Sequence, residues 1–110
     1  MIDPYLLQFQ EKINLLCIEH EVHKLYAFGS IVDGRFEVGK SDIDLLIKFN
    51  HKDKKREAKS LFIIWISLQN MLEHKVDLIA SGKLKGKYFK KYLDLYKEEL
   101  FSSEKNIDTK

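Results

Sequence analysis

The chain has 110 residues, 45% of them hydrophobic and 33% charged, with a formal net charge of +2. That is enough for one compact domain and too little for two, so no separate substrate-binding domain is expected, and the charge is too small to argue for a nucleic-acid partner by itself. A lone cysteine, Cys17, has no internal disulfide partner, and no apolar run approaches the roughly 18 residues of a membrane span, so a cytoplasmic protein is expected.

Asp3 before Pro4 reads as an N-cap followed by proline at the first helical position, and Leu6, Phe9, Ile13, Leu16 and Cys17 recur at helical spacing to about His20. This predicts one amphipathic helix with Cys17 as a buried structural thiol. Lys24 to Phe28 reads as a first strand feeding a Gly29-Ser30 turn, after which Asp33, Gly34 and Gly39 punctuate a connection. Residues 42–49 form the second predicted strand. Its alternation puts Ile43, Leu45, Ile47 and Phe49 on a core face and Asp42, Asp44, Leu46 and Lys48 on the other.

A polar stretch over 50–56 leads into a helix from about Asp53 to His74, with Ala58, Leu61, Trp65, Leu68 and Leu72 as its core seam. Phe62, Ile63, Ile64 and Ile66 carry the apolar surface round its other sides, as for a helix buried twice or one with a partner. Val76–Ala80 is the third predicted strand. After Ser81 and Gly82, a last helix carries Phe89, Tyr92, Leu93, Tyr96 and Leu100 on one stripe, and a polar tail begins at Ser102. The expected architecture is α/β (α+β): one domain over residues 1–101 with a small mixed sheet flanked by helices, and a frayed tail over 102–110.

Two carboxylates one residue apart on a strand face repel unless a cation lies between them. Their hard oxygen donors favour Mg²⁺, with Mn²⁺ as a substitute. If the third strand pairs beside the second, Asp77 joins Asp42 and Asp44 on that face while Val76 and Leu78 point to the core. Gly29 allows close approach of a phosphate, and Ser30 offers it a hydroxyl and backbone N–H donors. The combination points to metal-dependent nucleotidyl transfer from a nucleoside triphosphate. The basic clusters Lys52, Lys54, Lys55, Arg56 and Lys59, and Lys83, Lys85, Lys87, Lys90 and Lys91, read as solvated faces or as attraction for triphosphate or an acidic partner. His20, His23, His51 and His74 show no zinc spacing and receive no role.

Phe28-Gly29-Ser30, then Ser41-Asp42-Ile43-Asp44, then Val76-Asp77-Leu78 resemble the nucleotidyltransferase superfamily with the DNA polymerase beta-like fold, and by size its minimal nucleotidyltransferases. The resemblance implies that fold, two Mg²⁺ ions bridged by Asp42 and Asp44, and Asp77 ligating the ion beside the attacking hydroxyl and helping to deprotonate it. Many minimal nucleotidyltransferases carry arginines in the loop after Gly-Ser. Here Ile31, Val32 and Asp33 stand in that place, and Arg35 or Lys40 is expected to supply the positive charge. The resemblance further implies an antitoxin that transfers AMP from ATP to a tyrosine hydroxyl of a HEPN-type toxin. Inhibition by binding alone and transfer to a small acceptor such as an aminoglycoside are the alternatives. No membrane or nucleic-acid partner is expected, and a homo-oligomer is compatible with the oily helix.

Overall fold

A computed structural model describes residues 1–50 and 52–106; His51 and the tail segment 107–110 lie outside the described residues. In chain order the elements are α1 (Pro4–Leu7), α2 (Gln10–Glu19), β1 (Val22–Phe28), α3 (Ser30–Asp33), β2 (Ile43–Phe49), α4 (Lys54–Leu72), β3 (Val76–Ala80), a 3₁₀ turn (Ser81–Lys83), α5 (Lys87–Tyr96), β4 (Glu98–Ser102) and α6 (Ser103–Asn106). The four strands form one mixed sheet in the order β3-β2-β1-β4, with β2 and β3 parallel and the other pairs antiparallel.

Alternation sorts the strands as expected. Ile43, Leu45 and Ile47 are fully buried in the main core with Leu25, Ala27 and Val76, where they meet Leu6, Ile13 and Cys17 of α1 and α2 and Ile64, Leu68 and Leu72 of α4. Burial pushes the Cys17 thiol up to about 12, which suits an inert packing residue. On the sheet's opposite side, Phe28 and Leu46 pack with Leu93 of α5 in a smaller cluster that also takes in Ile79 and Phe89. Towards the start of β2 and β3, Asp42 and Asp77 are exposed and Asp44 is half-buried.

Local sequence explains most boundaries. Asp3 caps α1 by accepting from the Tyr5 N–H at 2.9 Å, with Pro4 next. Asp53 caps α4 by accepting from Lys55 and Arg56. Strand β3 is an edge strand, and α4 guards its start: Trp65 Nε1 donates to the Val76 carbonyl at 2.8 Å, and the Val76 N–H donates to Gln69 Oε1 at 3.1 Å.

Three expectations are corrected. The first helix is two, because the chain breaks at Gln8 and Phe9 even though the apolar stripe runs through the break. The core face of α4 is rotated by part of a turn, so Ile64 is fully buried while Ala58 is exposed. The last helix stops at Tyr96, and Leu100 lies in β4, which pairs along β1; Ser102 is buried in that strand rather than frayed, and residues 103–106 form α6. Leu100 sits at i+4 from Tyr96, so helical periodicity alone cannot exclude it; satisfying the outer backbone of β1 decides the matter.

Candidate active site

Strand β2 delivers the acidic pair and β3 the third carboxylate. Asp44 lies opposite Asp77 in the parallel register of β2 and β3, and opposite Phe28 in the antiparallel register of β1 and β2. Because Ile43 and Val76 face the core at adjacent positions, Asp44 and Asp77 must share the other face, and Asp42 stands just before the strand. The sheet therefore brings the two carboxylates together from positions 33 residues apart in the sequence.

The electrostatics follow from this crowding. Asp44 is half-buried, and its carboxyl is pushed up to about 6, first by desolvation and then by the neighbouring charges of Asp77 and Asp42. Lys75 Nζ lies 3.9 Å from Asp42 Oδ2 at an exposed position, and provides partial compensation there. Among the described residues no three His, Cys, Asp or Glu side chains already stand close enough to hold a metal ion.

Gly29 meets this centre from β1. Its backbone has φ +75° and ψ −147°, a region open to glycine alone, and a Cβ built there would stand 2.4 Å from Asp44 Oδ2. The glycine thus serves both the turn and the close approach of a carboxylate. Ser30 follows as the first residue of α3, a single turn closed by Val32 and Asp33 N–H bonds to the Gly29 carbonyl.

The expected phosphate cations are elsewhere engaged. Arg35 is gripped by Asp33, with Nη2 to Oδ2 at 2.6 Å and Nε shared between both oxygens at 3.0 Å, which holds the Asp33 carboxyl below its usual range. Lys40 is exposed, 3.9 Å from Glu37. Neither makes a contact that ties it to Gly29 or Asp44. Of the basic clusters, Lys52, Lys54 and Lys83 line a cavity of about 410 Å³ by Ala80, at the opposite end of β3 from Asp77. His74, given no role from its sequence spacing, and Lys75, in no motif, touch Gly39 and Asp42, and only the fold brings them there.

The sequence model of the family described as polymerase beta, nucleotidyltransferase, matches residues 11–106. The chain belongs to that nucleotidyltransferase family. Solved structures share its fold. A chain of a toxin–antitoxin complex with AMP-PNP superposes with a TM-score of 0.66 at 19% identity, covering 88% of this chain and 76% of that one. A minimal nucleotidyltransferase gives 0.64 at 21% identity, covering 89% and 95%. A chain of the complex between a tri-AMPylated Shewanella oneidensis HEPN toxin and its MNT antitoxin gives 0.60 at 16% identity, covering 93% and 76%. No curated protein matches the sequence. The nucleotidyltransferase has, among its described residues, no helix long and apolar enough to cross a membrane.

Proposed function

We propose that this nucleotidyltransferase transfers AMP from ATP to a hydroxyl, that of a tyrosine, on a partner toxin of HEPN type, and thereby acts as an antitoxin. The observation that carries the reading is the register of Asp44 opposite Asp77 with Gly29 pressed against Asp44. The likeness in fold to chains of toxin–antitoxin complexes supports the choice of partner.

Asp42, Asp44 and Asp77 are the residues that would hold two Mg²⁺ ions, which would supply charge neutralisation to the triphosphate and the departing pyrophosphate. Gly29 admits the phosphates close to the backbone, and the Ser30 hydroxyl donates to a phosphate oxygen. Asp77 takes the acceptor's proton as the acceptor oxygen bonds to the α-phosphorus; the bond from that phosphorus to the bridging oxygen breaks and pyrophosphate leaves.

A second reading, inhibition of the toxin by occlusion alone, is favoured by the engagement of Arg35 with Asp33, which leaves the loop after Ser30 short of positive charge. Intact mass of the partner toxin, incubated with this protein, ATP and Mg²⁺, separates the two. A gain of one or more AMP units, absent with Asp42→Asn, is expected. A stable complex without a mass change would favour occlusion, and neither result would favour a small hydroxylated acceptor.

The outer face of α4 is the surface offered to that partner. Phe62 is 60% exposed and Ile66 38% exposed, with the Trp65 ring 6.3 Å from that of Phe62. Phe62→Asp should leave the melting temperature within about 3 °C, as expected for an exposed site, and weaken the complex roughly 30-fold, about 2 kcal/mol. Calorimetric titration and a thermal melt read both. Unfolding of the variant would make Phe62 a core residue instead.

A further inference from the structure

Asp42 stands at the end of a connection that the strands do not hold. From Gly34 to Ser41 the chain runs without regular structure, closed on itself by a turn in which the Lys40 and Ser41 N–H groups donate to the Glu37 carbonyl and the Glu37 N–H donates to Ser41 Oγ at 2.9 Å. These bonds shape the turn but tie it to nothing else.

Phe36 anchors the start of the connection against the core, and His74 ties down the turn itself. The Gly39 N–H donates to His74 Nε2 at 2.8 Å, and His74 Nδ1 lies 2.8 Å from the Leu72 carbonyl. A carbonyl can only accept, so Nδ1 carries the proton and Nε2 presents its lone pair to Gly39. One tautomer of the neutral ring satisfies both bonds. The ring joins two others in a three-ring cluster, with centroids 4.8 Å from Tyr5 and 5.2 Å from Phe36, which themselves lie 5.6 Å apart; Phe36 is at the start of the same connection. Tyr5 Oη donates to the same Leu72 carbonyl at 2.7 Å. Lys75, the next residue, takes the Ile43 N–H on its carbonyl at 2.9 Å. Two consecutive residues thus grip the chain on either side of Asp42, at Gly39 and at Ile43.

We propose that His74 is a positioning residue: by holding Gly39 through Nε2 it fixes the loop that presents Asp42 to the metal ion. The inference rests on the nucleotidyl-transfer reading of Asp42, and its test does not depend on turnover. Three variants separate the bond from the packing. In His74→Gln the side-chain oxygen reaches the level of Nε2 and keeps an acceptor for Gly39. In His74→Asn the amide reaches only the level of Nδ1 and keeps the Leu72 contact alone. His74→Ala keeps neither.

Hydrogen exchange at the Gly39 amide, followed by NMR, is expected to accelerate about tenfold in the Ala and Asn variants and to stay near wild type in Gln, in line with one lost hydrogen bond. Mn²⁺ titration, read by paramagnetic broadening of the Asp42 amide, should show affinity about tenfold weaker in Ala and Asn and preserved in Gln. Unchanged Gly39 exchange in the Ala variant would overturn the clamp, and so would equal behaviour of Asn and Gln, which would assign the effect to packing. Faster exchange with unchanged Mn²⁺ affinity would overturn the link to Asp42. A wild-type protein that binds Mn²⁺ at Asp42 but transfers no nucleotide would sink the proposed function and leave the positioning result standing.

Discussion

Asp44→Asn is expected to abolish nucleotidyl transfer while raising the melting temperature. The loss should be at least about 10³-fold, since the carboxylate is asked to supply several kcal/mol of charge stabilisation through a cation, at about 1.4 kcal/mol per tenfold. The gain has the opposite origin. In the folded protein the Asp44 carboxyl sits at about 6 rather than the usual 3.8, because desolvation and the charges of Asp77 and Asp42 oppose its ionisation. Such a shift corresponds to at most about 3 kcal/mol of destabilisation at neutral pH; solvent screening at this half-exposed position reduces it to about 1 kcal/mol, roughly 4–8 °C for a domain of this size. The folded state holds the proton more tightly than the unfolded one, so the penalty is absent below about pH 4, grows through the window up to about 6, and is complete above it. Thermal melts without metal should therefore show the variant more stable than wild type at pH 7 and the two converging near pH 4. Mg²⁺ should then stabilise wild type and not the variant. A variant that melts lower at pH 7 would contradict the crowded site.

Gly29→Ala should cost both stability and activity. The backbone at φ +75° and ψ −147° resists any side chain, by about 1–3 kcal/mol, and the added methyl would stand 2.4 Å from Asp44 Oδ2, forcing that carboxylate to rotate away. A fall in melting temperature of roughly 8–16 °C is expected from about 2 kcal/mol, with transfer reduced at least about 100-fold because, on the proposed reading, Asp44 could no longer hold the metal ion. A double-mutant cycle divides the two causes. In an Asp44→Ala background the steric part vanishes and the backbone part stays, so the cost of Gly29→Ala should shrink without disappearing. A cost independent of the residue at 44 would mean that the two never touch.

Much of the site could be read from sequence because strand alternation is a strong constraint. Once Ile43, Leu45 and Ile47 demand burial, Asp44 must face the other way, and Val76 does the same for Asp77. The strand boundaries of β3 follow from its apolar run between His74-Lys75 and Ser81-Gly82. Helix detail was less legible. Nothing local marks the break at Gln8, since Leu6, Phe9 and Ile13 keep helical spacing across it, and an oily helix such as α4 offers Ile64 and Ala58 as near-equal candidates for the core. Leu100 fits a helix stripe and a strand alike; β1 needed a second partner, and that need is written nowhere near residue 100. Lys75 and His74 escaped for a related reason, because their partners Asp42 and Gly39 are more than thirty positions away and no periodicity connects them.

The guarded start of β3 restricts how an acceptor can approach. On the reading proposed above, a peptide delivering a hydroxyl beside Asp77 finds no free edge there for pairing as a fifth strand, because the amide and carbonyl of Val76 are already taken by Gln69 and Trp65. Strand addition next to Asp77 would have to displace both side chains from α4. The open direction is perpendicular to the sheet, across the face that α5 leaves uncovered. An acceptor residue on a rigid, protruding helix or turn can enter that way, whereas an extended tail gains no backbone pairing at this end of the strand.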